Sequence, residues 1–329
     1  MPDRPHHPGP QTLATHPDVN LYIFIPMLVA AMAFAFRREI AERIRVRRNR
    51  PRVAAEMARY HAEIEAENPD VSPVRQDEIE EFKAWFASLA LPAVELLPAP
   101  ERPVTAAGTR IGGPVWLRDG EAWPADESGT PLEFVAQVDF AELPPLPDFP
   151  EAGVLQFFVG TDDLYGAEFD DLMRGRIQVI WRPDGLEGGR LCPPPRRTDE
   201  TTPWERAEVR ESGLPLAGRA TVHRPDPTDW RIDERLKGQL RRPGIDELQD
   251  YVYEHNPTPE VHHVGGHPVF TQYDFRAPGR FDDYDRTLLR LTSDRNLMWG
   301  DLGEAVFMIR RRDLLMRDFS AVIFHWDCA

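Results

Sequence analysis

Polar and aromatic side chains at the ends of strand-like runs are the residues of this chain that could carry chemistry. They are Gln137, Asp139, Gln272, Asp274, Arg276, Asp294, Trp299 and Asp301. Carboxylates such as Asp139 and Asp294 could act as acid and base if the fold brought them into one cleft. Asp and Gln side chains also commonly bond turn amides, which would make them structural. The sequence favours the structural interpretation and keeps the cleft as a hypothesis.

Three histidines are weaker candidates, in their case for a metal site. His263 and His267 lie four residues apart, and His325 precedes a terminal Trp-Asp-Cys-Ala. Histidine, aspartate and cysteine are common metal ligands, but these spacings match no standard zinc pattern. The alternative is that the histidines bond backbone carbonyls at turns. We therefore predict neither a metal nor another cofactor.

No familiar catalytic motif accompanies these residues. The sequence contains no phosphate-binding P-loop, dinucleotide fingerprint, Gly-x-Ser-x-Gly elbow or His-Glu-x-x-His helix. Its formal net charge is −16; residues 1–36 carry −1 and residues 37–52 carry +6, which leaves −21 for residues 53–329. So acidic a body would repel phosphate backbones, and the charge therefore argues against nucleic acid as a partner.

One short turn motif occurs twice in the elements that must position the candidates. Gly112-Gly113-Pro114 returns as Gly265-Gly266, with Pro268 two residues further on. Glycine supplies a positive φ or a close backbone approach, and proline fixes the exit of such a turn. A phosphate-binding loop would lead into a helix, whereas strand-like runs follow here. We interpret both motifs as structural turns.

Each copy of the motif precedes two apolar runs. They span residues 132–139 and 154–159 in the first half, and residues 288–294 and 305–309 in the second. Short apolar runs between turns and prolines are typical of antiparallel strands. We predict an α+β fold, predominantly antiparallel β with flanking helices, built from two pseudo-repeated halves at about 108–182 and 261–328.

Two stretches outside the strand pattern have helical periodicity. Residues 76–90 place apolar side chains at positions 79, 82, 86 and 89, a spacing typical of an amphipathic helix. We expect its aromatic stripe to pack on the first sheet; an interface with a partner helix is the alternative. Residues 232–253 are also predicted to be helical, with a break at Pro243-Gly244. Residues 183–230 are rich in Pro, Arg and Glu and show little periodicity.

The N-terminal region predicts a membrane anchor. Residues 1–19 are rich in proline and histidine and are predicted to be disordered. The sixteen residues Leu21–Phe36 are uncharged and apolar, and as a helix they would span about 24 Å of a hydrocarbon core of roughly 30 Å. Asn20 and the following arginines can lie at the interface and make up the difference. Residues 20–36 are therefore predicted to form a transmembrane helix.

The charges that follow the apolar stretch predict its orientation. Residues 37–52 contain eight arginines, and the positive-inside rule places that side in the cytoplasm. A cleaved signal peptide would carry its basic residues before the apolar stretch; this and a buried core helix are the alternatives. We predict a single-pass inner-membrane protein with its N-terminus outside, a basic helical stalk and linker at 37–74, and a cytoplasmic domain at 75–329.

A set of further motifs resembles a known family. The matching pieces are Gly112–Pro114, Trp123-Pro124, Pro131–Asp139, Gly153–Phe158, Gly265–Pro268, Gln272–Arg276, Met298–Asp301 and Asp318–Cys328. On these motifs, residues 88–328 resemble the YwqG-like family of bacterial proteins, which has no assigned activity. The resemblance implies a sheet-dominated α+β fold with two similar halves, and relatives near toxin–immunity loci imply protein binding. The chain departs from the pattern at Arg290, where relatives often have Gln.

Two functions stay open from the sequence. The first is a membrane-anchored, cytoplasm-facing module that binds an unknown protein partner, with an immunity-like role. The second is a hydrolase-like enzyme that binds a small ligand in a polar cleft between the halves. The acidic body, the anchor and the missing catalytic motifs favour the first. A deep pocket around the candidate residues would favour the second.

Overall fold

The computed structural model describes residues 72–183, 186–197, 202–240, 242–255 and 261–329. The predicted disordered segment, the anchor and the stalk up to residue 71 lie outside the described residues. Residues 70–329 form one compact unit. None of the helices in the described ranges is long and apolar enough to cross a bilayer.

Twelve strands and five α-helices occur in the described ranges. The strands are β1 (Leu91–Pro98), β2 (Arg110–Ile111), β3 (Val115–Arg118), β4 (Glu133–Asp139), β5 (Val154–Val159), β6 (Gln178–Arg182), β7 (Gly189–Cys192), β8 (Leu214–His223), β9 (His262–Gly265), β10 (Arg286–Thr292), β11 (Glu304–Ile309) and β12 (Ile323–Asp327). The helices are α1 (Gln76–Ser88), α2 (Ala207–Ser212), α3 (Trp230–Leu236), α4 (Ile245–His255) and α5 (Arg311–Leu315).

Ten of these strands form one curled sheet in the order β12-β11-β10-β9-β1-β8-β2-β4-β5-β6, and β3 and β7 form a second, two-stranded sheet. All the pairings between these strands are antiparallel. The long strands β1 and β8 lie in the middle and pair from Leu91 opposite His223 to Pro98 opposite Leu216. The expected mostly antiparallel β fold with a few helices is confirmed.

The two central strands are exchanged between the halves of the sheet. Strand β1 precedes the first-half strands in sequence, yet it pairs with β9 through Val94 and Val264. Strand β8 precedes the second-half strands, yet it pairs with β2 through Leu214 and Ile111. The result is a mirrored order of strands about the β1–β8 pair, as an internal duplication would give. The duplication itself stays a prediction.

The curled sheet encloses an apolar core on its inner face. Side chains alternate between the two faces of a strand, so Leu155 and Phe157 of β5 point inward, and the Phe157 ring lies 5.0 Å from that of Phe307 on β11. Phe158 points outward and packs beneath β3 of the small sheet, in a cluster with Val115. Strand β5 is apolar almost throughout because both of its faces are covered.

Helix α1 buries its apolar stripe in a helical cluster and not in the core of the first sheet. Ile79, Phe82 and Phe86 are buried together with apolar residues of α3 and α4. The Phe86 ring meets Tyr251 of α4 edge-on, with centroids 5.9 Å apart. The partner of the stripe is thus within the chain, whereas we expected the first sheet. The predicted helical region 232–253 is confirmed as α3 and α4, with the break before Ile245.

Candidate functional site

Gln137 and Asp139, at the end of β4, bond to the backbone around them. The Gln137 Nε2 lies 2.5–3.1 Å from the carbonyl oxygens of residues 106–108, and its Oε1 accepts a hydrogen bond from Gln156. The Asp139 carboxylate accepts the backbone N–H of Ala141 at 3.0 Å and caps a 3₁₀ turn. Burial raises the pKa of Asp139. Gln137 thus fixes the loop that precedes β2, and Asp139 fixes the turn that follows β4.

Asp274 and Arg276 form a buried ion pair in the loop before β10. Their Oδ2 and Nη2 atoms lie 2.6 Å apart, and Arg276 also reaches Asp229 at 3.4 Å. The Asp274 carboxylate accepts the backbone N–H of Trp230 at 3.2 Å, at the start of α3. A buried charge requires a partner and further hydrogen bonds, and this cluster supplies both. The pair therefore fastens the loop to helix α3.

The turn between β10 and β11 contains Asp294, Trp299 and Asp301. The Asp294 carboxylate accepts two backbone N–H groups of its own turn at 2.7 and 2.9 Å. The Trp299 ring is fully buried and meets Tyr165 edge-on at 5.1 Å. Its Nε1 has no hydrogen-bond partner among the described residues. The Asp301 side chain is exposed.

These placements distribute the candidate residues among separate networks. Asp139 and Asp294, the two carboxylates considered as acid and base, each bond amides of a local turn. Gln137 is satisfied by backbone carbonyls, and Asp274 by Arg276. A general base must reach the proton that it abstracts, and side chains engaged in this way are occupied by the protein itself.

The three candidate histidines also lie in different surroundings. His263 bonds the carbonyl of Gly265 through Nδ1 at 3.0 Å, and His267 lies between Leu89 O at 2.7 Å and Arg231 at 2.9 Å. His325 is enclosed by aromatic rings. Burial lowers the pKa of His267 and His325 to about 4. The part of the chain that the structure describes contains no group of three or more His, Cys, Asp or Glu able to hold a metal.

The paired glycines occupy backbone conformations that other residues rarely adopt. Gly112, Gly113, Gly265 and Gly266 have φ values of 61°, 83°, 72° and 67°. A Cβ on Gly112 would lie 2.2 Å from the carbonyl oxygen of Val209, and one on Gly266 would lie 2.5 Å from a ring nitrogen of His223. Positive φ and close approach therefore both require glycine here. Pro114 and Pro268 follow at the exits of the two turns.

An open groove lies where the connection between β5 and β6 meets the end of β12. Its volume is about 390 Å³, and it is lined by Leu164, Phe169, Gln272, Tyr273 and residues 325–328. We call it the β12 groove. Leu164, Phe169 and Tyr273 are 39%, 40% and 63% exposed. Large apolar side chains that share an exposed surface are typical of interaction sites.

The first wall of the β12 groove is a tightly bonded loop. The Asp162 carboxylate accepts the backbone N–H groups of Leu164 and Gly166 at 3.0 and 2.9 Å, and it pairs with Arg176. The Trp326 ring nitrogen of β12 donates to the carbonyl of Leu164 at 2.8 Å. These bonds fix the loop before any partner arrives, which lowers the entropic cost of binding.

The second wall is held by the end of β12. The Asp327 carboxylate accepts the backbone N–H groups of Thr271 and Gln272 at 3.1 and 2.7 Å, and burial raises its pKa. The Gln272 amide donates to the carbonyl of Cys328 at 2.6 Å. Together these bonds position the turn that carries Tyr273. The polar side chains of this wall therefore hold its backbone in position.

A comparison with protein families finds one match, and it covers residues 109–328. This range is about two thirds of the chain and contains every strand from β2 to β12. The chain belongs to the DUF1963 family, a domain of unknown function. The DUF1963 match includes the whole β12 groove but begins after helix α1 and the central strand β1. No curated protein matches the chain.

Only two candidate residues reach the groove of this DUF1963 domain, namely Gln272 and His325. Its exposed wall residues Leu164 and Phe169 were not predicted, because they lie in a connection without apolar periodicity. The available signal was compositional. Between residues 160 and 173, isolated large apolar side chains alternate with carboxylates and have no strand or helix pattern to bury them.

Proposed function

We propose that this DUF1963 protein is a protein-binding module, held by its N-terminal anchor at the cytoplasmic face of the inner membrane. The observation that carries the proposal is the β12 groove, whose exposed Leu164, Phe169 and Tyr273 stand on walls fixed by hydrogen bonds. Rigid aromatic anchors at an open surface are what protein recognition uses most. Most of the polar candidates meanwhile bond other groups of the protein itself.

The anchor and the orientation rest on the sequence. The apolar stretch Leu21–Phe36 and the eight arginines that follow it support a single-pass helix with the domain on the cytoplasmic side. The resemblance to the YwqG-like family supports the finer proposal of an immunity-like role, in which the partner is a toxin-like protein. The mirrored strand order supports two pseudo-repeated halves.

A small-ligand enzyme is the second candidate, and one observation favours it. The volume of the β12 groove falls within the range of roughly 300–1,000 Å³ typical of small-molecule sites, and its lining contains Gln272, His325, Asp327 and Cys328. Two of these groups, Gln272 and Asp327, are engaged in holding the second wall. The groove therefore offers an apolar surface more readily than a free acid and base.

The proposal is tested by affinity purification of the full-length protein from gently solubilised native membranes. We expect a stoichiometric protein partner that is retained by the wild type and lost with Tyr273→Ser, which removes a groove side chain more exposed than Leu164 or Phe169. Met316→Ser is the matched control, because Met316 is 75% exposed after α5 and lies outside the groove. Deletion of Leu21–Phe36 should move the protein from the membrane fraction to the soluble fraction.

Two results would contradict this function. The first is a folded, membrane-bound wild-type protein with no partner whose capture depends on Tyr273. The second is hydrolysis of a small substrate by the purified wild type that Tyr273→Ser abolishes, which would favour the enzyme. Circular dichroism of each variant establishes that a lost partner reflects the groove and not the fold.

A further inference from the structure

The first wall of the β12 groove carries an excess of negative charge. Residues 160–176 contain five carboxylates and two arginines, a net charge of −3. The two arginines pair with three of the carboxylates. The other two, Asp163 and Asp170, are exposed and form no ion pair with any described residue. In sequence they directly adjoin the wall residues Leu164 and Phe169.

The turn between β10 and β11 adds a third exposed carboxylate close to the groove. Asp301 lies in the turn beside the end of β12, where its carbonyl accepts the backbone N–H of Ala329 at 3.1 Å. A Cβ on the neighbouring Gly300 would lie 2.7 Å from the sulfur of Cys328, which lines the groove. Exposed carboxylates of two separate segments therefore adjoin residues that line the groove.

The surface of the groove itself is largely aromatic. The Phe169 ring lies 5.5 Å from the His325 ring and 6.1 Å from the Trp326 ring. Tyr273 also lines the groove and is more exposed than Leu164 or Phe169. Aromatic surfaces accept bulky apolar side chains, and their faces also attract guanidinium and ammonium groups.

We propose that the β12 groove binds a cationic segment of a partner protein, with one bulky apolar side chain between Phe169 and Tyr273 and flanking Lys or Arg side chains against Asp163 and Asp170. This inference rests on the proposed function and names the chemistry of its partner. The apolar anchor supplies most of the affinity. The exposed carboxylates raise the association rate and select against acidic segments.

The same charges disfavour other occupants. Anionic lipid headgroups and phosphate backbones would meet the unpaired Asp163 and Asp170 across a short distance and be repelled. An acidic protein surface, including the predominantly acidic body of a second copy of this chain, would be repelled in the same way. A cationic segment with one apolar side chain is the occupant that complements both the apolar surface of the groove and the exposed carboxylates beside it.

A selection from a phage library of random 12-residue peptides tests the inference directly. The library is first depleted on the Phe169→Ser/Tyr273→Ser variant and then selected on the full-length wild type, both in the same mild detergent. We expect the enriched peptides to combine a net positive charge with a Trp, Phe or Leu. Enrichment of acidic or uncharged peptides would overturn the inference, because it would show that the exposed carboxylates do not select for positive charge.

One enriched peptide is then synthesised with a fluorescein label and titrated by fluorescence anisotropy. Phe169→Ser should weaken binding roughly tenfold or more. Asp163→Asn/Asp170→Asn should weaken it several-fold and flatten its dependence on salt, because screened ion pairs are lost. Met316→Ser should leave the dissociation constant unchanged. If the dissociation constant of the Asp163→Asn/Asp170→Asn variant depended on salt as strongly as that of the wild type, Asp163 and Asp170 would not be the groups that bind the cationic side chains.

The two proposals fail in distinguishable ways. If no groove-dependent peptide is enriched but a native partner is still captured through Tyr273, the cationic partner is wrong and the binding module stands. If neither a peptide nor a native partner depends on the groove, both proposals are wrong. Thermal unfolding of the Asn and Ser variants establishes that each one is folded at the assay temperature.

Discussion

Mild acid should destabilise this protein strongly, because five buried histidines are neutral in the folded state. Burial lowers the pKa of His263 well below its usual value. It lowers the pKa of the other four, His223, His262, His267 and His325, to about 4, whereas an unfolded histidine has a pKa of about 6.5. Between these values the unfolded chain binds protons that the folded chain does not. The stabilisation is therefore fully present above pH 6.5 and is lost as the pH falls toward 4.

The size of the loss follows from the two pKa values. At pH 5, each such histidine lowers the free energy of unfolding by about 2 kcal/mol relative to pH 7.5, and four lower it by about 8 kcal/mol. Buried carboxyl groups act in the opposite direction, since burial raises the pKa of Glu304 and Asp327 and the folded state protonates them first. The net loss is therefore smaller than 8 kcal/mol, and a loss of a few kcal/mol is already a large part of the total stability of many domains.

The measurement is urea unfolding of the full-length protein in mild detergent at pH 7.5, 6.5 and 5.0, followed by tryptophan fluorescence. His325→Phe is the informative variant, because Phe169, Phe270 and Phe275 already surround that ring. Its loss between pH 7.5 and 5 should be about 2 kcal/mol smaller than that of the wild type.

Met316→Ser, whose side chain is 75% exposed and carries no titrating group, is the control and should follow the wild-type pH dependence. A wild-type free energy of unfolding that is the same at pH 5 and pH 7.5 would refute the reasoning. So would a His325→Phe variant that loses as much stability as the wild type, because the histidine would then not be the group that titrates.

Two further substitutions test the turns and the buried charges. Gly112→Ala would place a Cβ 2.2 Å from the carbonyl oxygen of Val209 and should lower the free energy of unfolding by about 2–4 kcal/mol. Gly120→Ala has a similar positive φ with open space around it and should cost only about 1 kcal/mol; equal melting temperatures of the two variants would contradict the close approach. Glu133→Gln removes the buried carboxylate 2.7 Å from Arg210 and should cost about 3–5 kcal/mol by urea unfolding. An unchanged urea midpoint would show that this pair contributes little.

The strands that the sequence predicted are those whose own residues specify them. Runs 132–139 and 154–159 became β4 and β5 because they are apolar and bounded by turn residues. Strand β8 was not predicted, although it lies at the centre of the sheet, because it contains Pro215 and Gly218. Gly218 resembles a break in the sequence but makes room for Leu143, whose side chain would lie 2.8 Å from an added Cβ. That requirement is tertiary and leaves no local pattern.

The residues of the candidate site also divide into those with a local signal in the sequence and those that only the tertiary fold brings together. Turn glycines such as Gly112 and capping carboxylates such as Asp139 act on nearby backbone, so their residue types indicate a structural role. The β12 groove depends on a connection that crosses to a strand some 160 residues later, as the bond from Trp326 to Leu164 illustrates. No local pattern in the sequence links the two walls, and only the fold brings Phe169 and Tyr273 into one groove.

The exchange of β1 and β8 also determines when the domain can complete itself during synthesis. Strand β1 ends at Pro98, and its two neighbours, β8 and β9, are finished only at His223 and Gly265. At about 5–20 residues per second, synthesis from Pro98 to His223 takes roughly 6–25 s, and both edges of β1 stay unpaired for that time. Unpaired edges recruit other strands, so during this interval β1 is exposed to pairing with strands of other chains.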